Sequence, residues 1–139
     1  MTSGVLRAVV ERGPGGWVLL VDSITQVTPA DSGAIVVAGS HGGASSASYA
    51  LAVPLAAAFF NDAGVGKDRA GIAALDMLQA RGVVAGAVAH TSARIGDAQD
   101  MWEHGVLTHV NTAARALGLA AGMSLQGALR DLLTPVPRP

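Results

Sequence analysis

The chain of 139 residues contains no cysteine. A disulfide scaffold, an iron–sulfur cluster, a thiolate zinc site and a cysteine nucleophile are therefore excluded. Aromatic residues are scarce at 4%, and no basic run accompanies them, so the chain has neither the stacking surface nor the positive stripe of a nucleic-acid binder. Charged residues make up only 14%, against about 25% in ordinary soluble domains. The formal net charge is −1, so no overall field favours nucleic acid or an anionic lipid surface. Long apolar runs are missing as well. Tyr49–Phe60 is apolar at 11 of 12 positions, but Pro54 interrupts it and Asn61-Asp62 closes it, short of the roughly 18 residues a membrane span needs. Neither nucleic acid nor membrane is expected as a partner.

Half of the residues are hydrophobic. That surplus leads to the expectation of a subunit interface, in a homo-oligomer or as a subunit of a complex. The length suits one domain, expected over residues 1–134, with a frayed proline-rich tail over 135–139. Met1-Thr2-Ser3-Gly4 lacks the charged and apolar regions of a signal peptide, so the expected address is cytoplasmic.

Along the chain, Val5–Val10 and Trp17–Val21 are β-branched and apolar around Arg12-Gly13-Pro14-Gly15-Gly16, and read as an N-terminal β-hairpin. Thr28-Pro29 starts a short helical turn, with Thr28 as cap and Pro29 at the first helical position. Ala34–Ala38, Ala57–Phe60 and Val83–Ala89 read as buried parallel strands. Helices are expected over Ala44–Leu51, with a serine cap, and over Lys67–Ala80, ended by Arg81-Gly82. A long helix is expected from Asp97 to Leu117, with Gly105 as its weak point, and a last short helix after Ser124. This order predicts an α/β fold, a three-layer sandwich around a mostly parallel sheet in a flavodoxin- or Rossmann-like arrangement, plus the hairpin.

A parallel sheet gathers the C-terminal ends of its strands, and three polar turns follow those ends. In the first, Ser40-His41-Gly42-Gly43-Ala44-Ser45-Ser46, glycines admit a close backbone approach and the following helix offers free N–H groups to an anion or oxyanion. His41 suits acid or base work, and Ser40, Ser45 and Ser46 suit hydrogen bonding or attack. The same residues also suit a plain turn with one serine as cap. The second turn runs from Asn61 and Asp62 through Lys67 to Asp68. Gly66-Lys67 is similar to the end of a phosphate-binding P-loop, but Asn61 stands where that motif needs glycine and Asp68 where it needs Ser or Thr. Lys67 is instead a candidate base or carboxylate anchor, or a solvated charge.

The third turn, His90-Thr91-Ser92-Ala93-Arg94, places a proton-exchanging imidazole beside a planar guanidinium suited to a carboxylate. Over the eight residues His90–Asp97 the chain resembles the His-Thr-Ser-containing stretch of type II dehydroquinases, small oligomeric flavodoxin-like lyases that bind a carboxylated ring. The sole tyrosine, Tyr49, falls on an expected helix, and no counterpart of that family's N-terminal catalytic loop is visible. The resemblance implies an anionic pocket.

The expected catalytic residues are thus Ser40, His41, Lys67 and His90. Gly42, Gly43, Ser45, Ser46, Asn61, Asp62, Thr91, Ser92 and Arg94 are expected to bind substrate. His104 and His109, spaced i, i+5, do not share a helix face, so neither a dedicated zinc site nor any other cofactor is expected. The first expectation is a metal-independent hydrolase of a carboxylated amide, ester or cyclic imide, acting through serine attack with Lys67 or a histidine as base. A lyase or isomerase moving protons on a carboxylate substrate is the second. A non-catalytic ligand-binding or regulatory subunit is the third.

Overall fold

The computed structural model describes residues 6–134; the expected tail over 135–139 and the reading of Met1–Gly4 lie outside them. Six strands form one sheet in sequential order. Strand β1 (Arg7–Gly13) and β2 (Gly16–Val21) make an antiparallel hairpin across Pro14-Gly15. Strands β2, β3 (Ile35–His41), β4 (Ala57–Asn61) and β5 (Val84–Val88) run parallel, and β6 (Leu107–Val110) closes the far edge antiparallel to β5.

The central strands are apolar over Ile35–Ala38 and Ala57–Phe60 because both faces of the sheet are covered. Leu20, Val37 and Phe59 point to one face, under α3 (Ala98–His104) and α5 (Leu125–Leu133). Leu19, Val36 and Phe60 point to the other, under α1 (Ala44–Leu51) and α2 (Ala73–Gln79). The apolar surplus in the composition thus fills two cores, one on each side of the sheet. Small residues in the sheet let its neighbours close in, and at Gly86 a Cβ would lie 3.0 Å from the Phe59 ring.

The link between β2 and β3 holds two 3₁₀ turns, Ile24–Gln26 and Pro29–Asp31, the second with Pro29 at its first position as expected. A bidentate pair ties it to the sheet edge, Arg7 donating to both carboxylate oxygens of Asp31 at 2.7 and 3.0 Å. The Arg7 hydrogen bonds hold this buried carboxyl below its ordinary pKa against the cost of burial.

Three expected helices take different forms. The stretch from Asp97 to Leu117 is divided into α3, β6 and α4 (Thr112–Ala116). Gly105 caps α3, with its N–H donating to Met101 O, and an added Cβ would collide with that carbonyl. Beyond it, Val106–Val110 is rich in β-branched residues and finds the open edge of β5, so long-range pairing overrides the helical spacing of Trp102, Val106 and Val110. The stretch from Lys67 to Ala80 starts as a kinked 3₁₀ segment, Lys67–Ile72, with Asp68 and Arg69 at φ 56° and 59°, before α2 proper. Helix α1 has Gly43 at its cap position and no serine side-chain cap; Ser46 donates its hydroxyl to His41 O instead.

The connections decide where ligands can reach the strand ends. Those after β3 and β4 lead to helices on one face, whereas the one after β5 leads to α3 on the other. The sequential order therefore lacks the strand-order reversal of doubly wound sheets, yet the chain still parts to opposite faces between β4 and β5. Such a parting opens a crevice at the C-terminal ends of parallel strands.

Candidate functional site

At that parting stand Asp62, directly after β4, and His90, two residues after β5. Asp62 is 4% exposed, and both carboxylate oxygens are occupied. One accepts from Gly64 N–H at 2.8 Å, from His90 N–H at 3.0 Å and faces His90 Nδ1 at 3.3 Å. The other accepts the Thr108 hydroxyl of β6 at 2.9 Å. Burial alone would push the carboxyl pKa up, but the donors from Gly64, Thr108 and His90 outweigh it and hold it below the ordinary range. Asp62 is thus a fixed anion at neutral pH.

A carboxylate can only accept, so the proton on the His90 ring sits at Nδ1 and leaves the Nε2 lone pair free. The His90 side chain is 54% exposed. Gly64 supports the ring from beneath: its backbone has φ 75°, and a Cβ there would stand 3.4 Å from His90 Cε1. The loop around it is strained, with Ala63 and the β-branched Val65 also at positive φ, 51° and 69°. Backbone closure stabilises that shape, Val65 N–H donating to Asp62 O and Gly71 N–H to Val65 O, each at 2.7 Å. Held strain of this kind concentrates where the chain must present a group in one orientation.

His90 opens onto a recess of about 340 Å³ shared with Thr91, Ser92, Ala93, Arg94 and Asp100. Ser92 is committed to structure, its hydroxyl donating to Ala89 O at 2.7 Å and accepting Val106 N–H at 3.0 Å. Asp100 accepts Arg94 N–H at 2.7 Å and pairs with His104 at 2.9 Å, and these two contacts lower its pKa. The Arg94 guanidinium is exposed and makes no hydrogen bond among the described residues.

The first turn lines a second recess of about 380 Å³, where Ser40, His41 and Ser45 face the apolar walls of Tyr49 and Ile95. Much of its polar character is used internally. Gly42 N–H donates to Asn61 O at 3.1 Å and Gly42 O accepts Ala74 N–H at 2.8 Å, so this amide is not free for an oxyanion. Ser46 is buried, and the Ser40 hydroxyl oxygen accepts Ile24 N–H at 3.0 Å. His41 folds over Gly43, where an added Cβ would be 2.6 Å from Nε2. No serine hydroxyl is hydrogen-bonded to an imidazole or a lysine among the described residues.

Asn61 is fully buried, its Nδ2 donating to Ala93 O and its Oδ1 accepting Ala63 N–H, each at 2.9 Å. The segment 93–96 forms a wall of both recesses. Lys67 is exposed and lines neither. The structure thus brings His90, Thr91, Ser92 and Arg94 together over Asp62, groups Ser40, His41 and Ser45 next door, and leaves Lys67 apart. Thr108 is not among the residues expected from sequence, because the spacing of Trp102, Val106 and Val110 predicts a helix there; the β-branched run Val106–Val110 is the signal that points to a strand. No family model, curated protein or solved structure matches the chain.

Proposed function

We propose that this protein is a small-molecule enzyme in which His90 moves a proton, Asp62 orients and charge-stabilises it, and Arg94 holds an anionic group of the substrate. The supporting observation is the buried Asp62 carboxylate directed at Nδ1 of a half-exposed imidazole where the chain parts to opposite faces of the sheet. An imidazole so held can take a proton at Nε2 while the carboxylate stabilises the resulting cation. A guanidinium in the same recess suits a carboxylate whose neighbouring carbon loses that proton. The reaction class this arrangement fits best is a lyase or isomerase acting next to a carbonyl or carboxylate. Serine-attack hydrolysis has less support, because Ser46 and Ser92 donate to backbone carbonyls and no serine among the described residues is paired with a base.

The test is exchange of substrate hydrogen for solvent deuterium. A panel of small keto, hydroxy and cyclic carboxylates is first screened by thermal shift, since a ligand preferring the folded state raises its apparent stability. Binders are then followed in D2O by proton NMR. Loss of a C–H signal with the wild type, slowed about 10²- to 10⁴-fold by His90→Gln and shifted to higher KM by Arg94→Gln, is the expected result. Binding with no exchange for any member would assign the protein to the non-catalytic ligand-binding class instead.

A further inference from the structure

Asp62 has a second neighbour chain. Its Oδ2 accepts the Thr108 hydroxyl at 2.9 Å, and the Thr108 oxygen lies 3.1 Å from His109 Nδ1. The one hydroxyl proton is taken up by Asp62 Oδ2 or by Ala87 O at 3.3 Å, so the Thr108 oxygen can only accept from His109, whose ring donates from Nδ1 and keeps its lone pair at Nε2. Two imidazoles are thus joined through one carboxylate and one hydroxyl. His109 does not open onto the crevice at the strand ends; it lines a separate recess of about 420 Å³ between β6, α2 and α4.

Two guanidiniums share that recess, Arg69 and Arg115. Arg69 is exposed, has no hydrogen bond or ion pair among the described residues, and follows Asp68 in a left-handed kink at φ 59°. Arg115 donates to Val110 O at 2.9 Å and Thr112 Oγ1 at 3.2 Å, which orients its planar fork and leaves the other N–H groups of the guanidinium available. Asp76 is the one acidic group lining the recess, against these two fixed cations and His109. The volume falls within the range of small-ligand sites.

We infer that the recess between β6, α2 and α4 is a second binding site, for a compact hydrogen-phosphate anion that accepts from Arg69 and Arg115 and donates its P–OH to the His109 Nε2 lone pair, and connected to His90 through Thr108 and Asp62. Two donor guanidiniums and one acceptor imidazole, from three different elements, match a tetrahedral anion that carries both acceptor oxygens and an O–H better than an ionised carboxylate, which only accepts and for which one bidentate arginine suffices. The site does not depend on the chemistry proposed for His90, and it is tested without turnover.

The probe is inorganic phosphate, titrated into protein whose histidine ring nitrogens are read by 15N NMR, with acetate as the carboxylate arm. Phosphate is expected to move the His109 Nε2 resonance saturably, with a smaller response at His90. The Arg69→Gln/Arg115→Gln double variant should weaken Kd at least tenfold, Asp76→Asn should tighten it, and Arg12→Gln at the opposite sheet edge should leave it unchanged. A His109 response that does not saturate, equal affinity in the double variant, or acetate binding as tightly as phosphate would overturn the assignment. The folded state of each variant is checked by the dispersion of the same spectra.

Discussion

Ser46 and Asp62 follow the ends of neighbouring strands and are almost equally shielded, 5% and 4% exposed, yet they serve opposite ends. Ser46 donates to His41 O, five residues back, and closes its own turn. Asp62 receives donors from Gly64, His90 and Thr108, in three different segments, and directs one of them, the His90 ring, toward solvent. The first turn is richer in polar residues, but its Gly42 amide and its Ser40 and Ser46 hydroxyls satisfy the backbone. Burial of a polar group requires partners, and where those partners are local the group is structural. Where they include a side chain that is itself half exposed, the group holds that side chain in one orientation.

The contrast can be broken most forcefully at Asp62. Asp62→Ala leaves two backbone N–H groups without their acceptor, at about 1–3 kcal/mol for each buried group orphaned, and leaves the Thr108 hydroxyl only Ala87 O at 3.3 Å. A loss of several kcal/mol in urea unfolding is expected, together with loss of any His90-dependent exchange. Asp62→Asn keeps an acceptor for the N–H groups and should fold better while still impairing His90.

Gly42→Ala addresses the first turn through packing alone. A Cβ there would meet Gly71 O at 2.8 Å, a backbone atom that cannot yield cheaply, so a loss of about 1–3 kcal/mol is expected. Since no chemistry is assigned to this amide, turnover per folded molecule should be preserved, and a selective fall in turnover would restore the oxyanion reading.

Ser46→Ala should cost about 1 kcal/mol, the ordinary worth of one hydrogen bond, whereas Ser45→Ala, exposed and without a partner, should stay within about 0.5 kcal/mol. Chemical denaturation of the pair separates them. A large functional loss with Ser45→Ala would favour the serine-attack route.

The smallest effect is acid sensitivity. The folded pKa of Asp62 lies below its ordinary value, so its contribution to stability is present above the unfolded pKa of about 3.9 and is lost as pH falls through the folded value. Asp31 behaves alike through Arg7. The wild type should therefore lose stability more steeply than Asp62→Asn as pH drops below about 4, as read by thermal unfolding at successive pH values.

Local pattern was enough for the hairpin, for the parallel strands β3 to β5, for Pro29 at its turn, for α1 and for the Ser124 cap of the last helix. Apolar runs bounded by glycine and proline carry that information within a few residues. It was also enough to direct attention to Asp62, His90 and Arg94. It could not yield β6, because Val106–Val110 fits either period and only the unpaired edge of β5 decides between them. Nor could it show that Gly42 and Ser46 are consumed internally while Asp62 collects Thr108 from 46 residues away. Which polar groups remain free depends on who their neighbours are, and neighbours distant along the chain are chosen by the packing of the whole sheet.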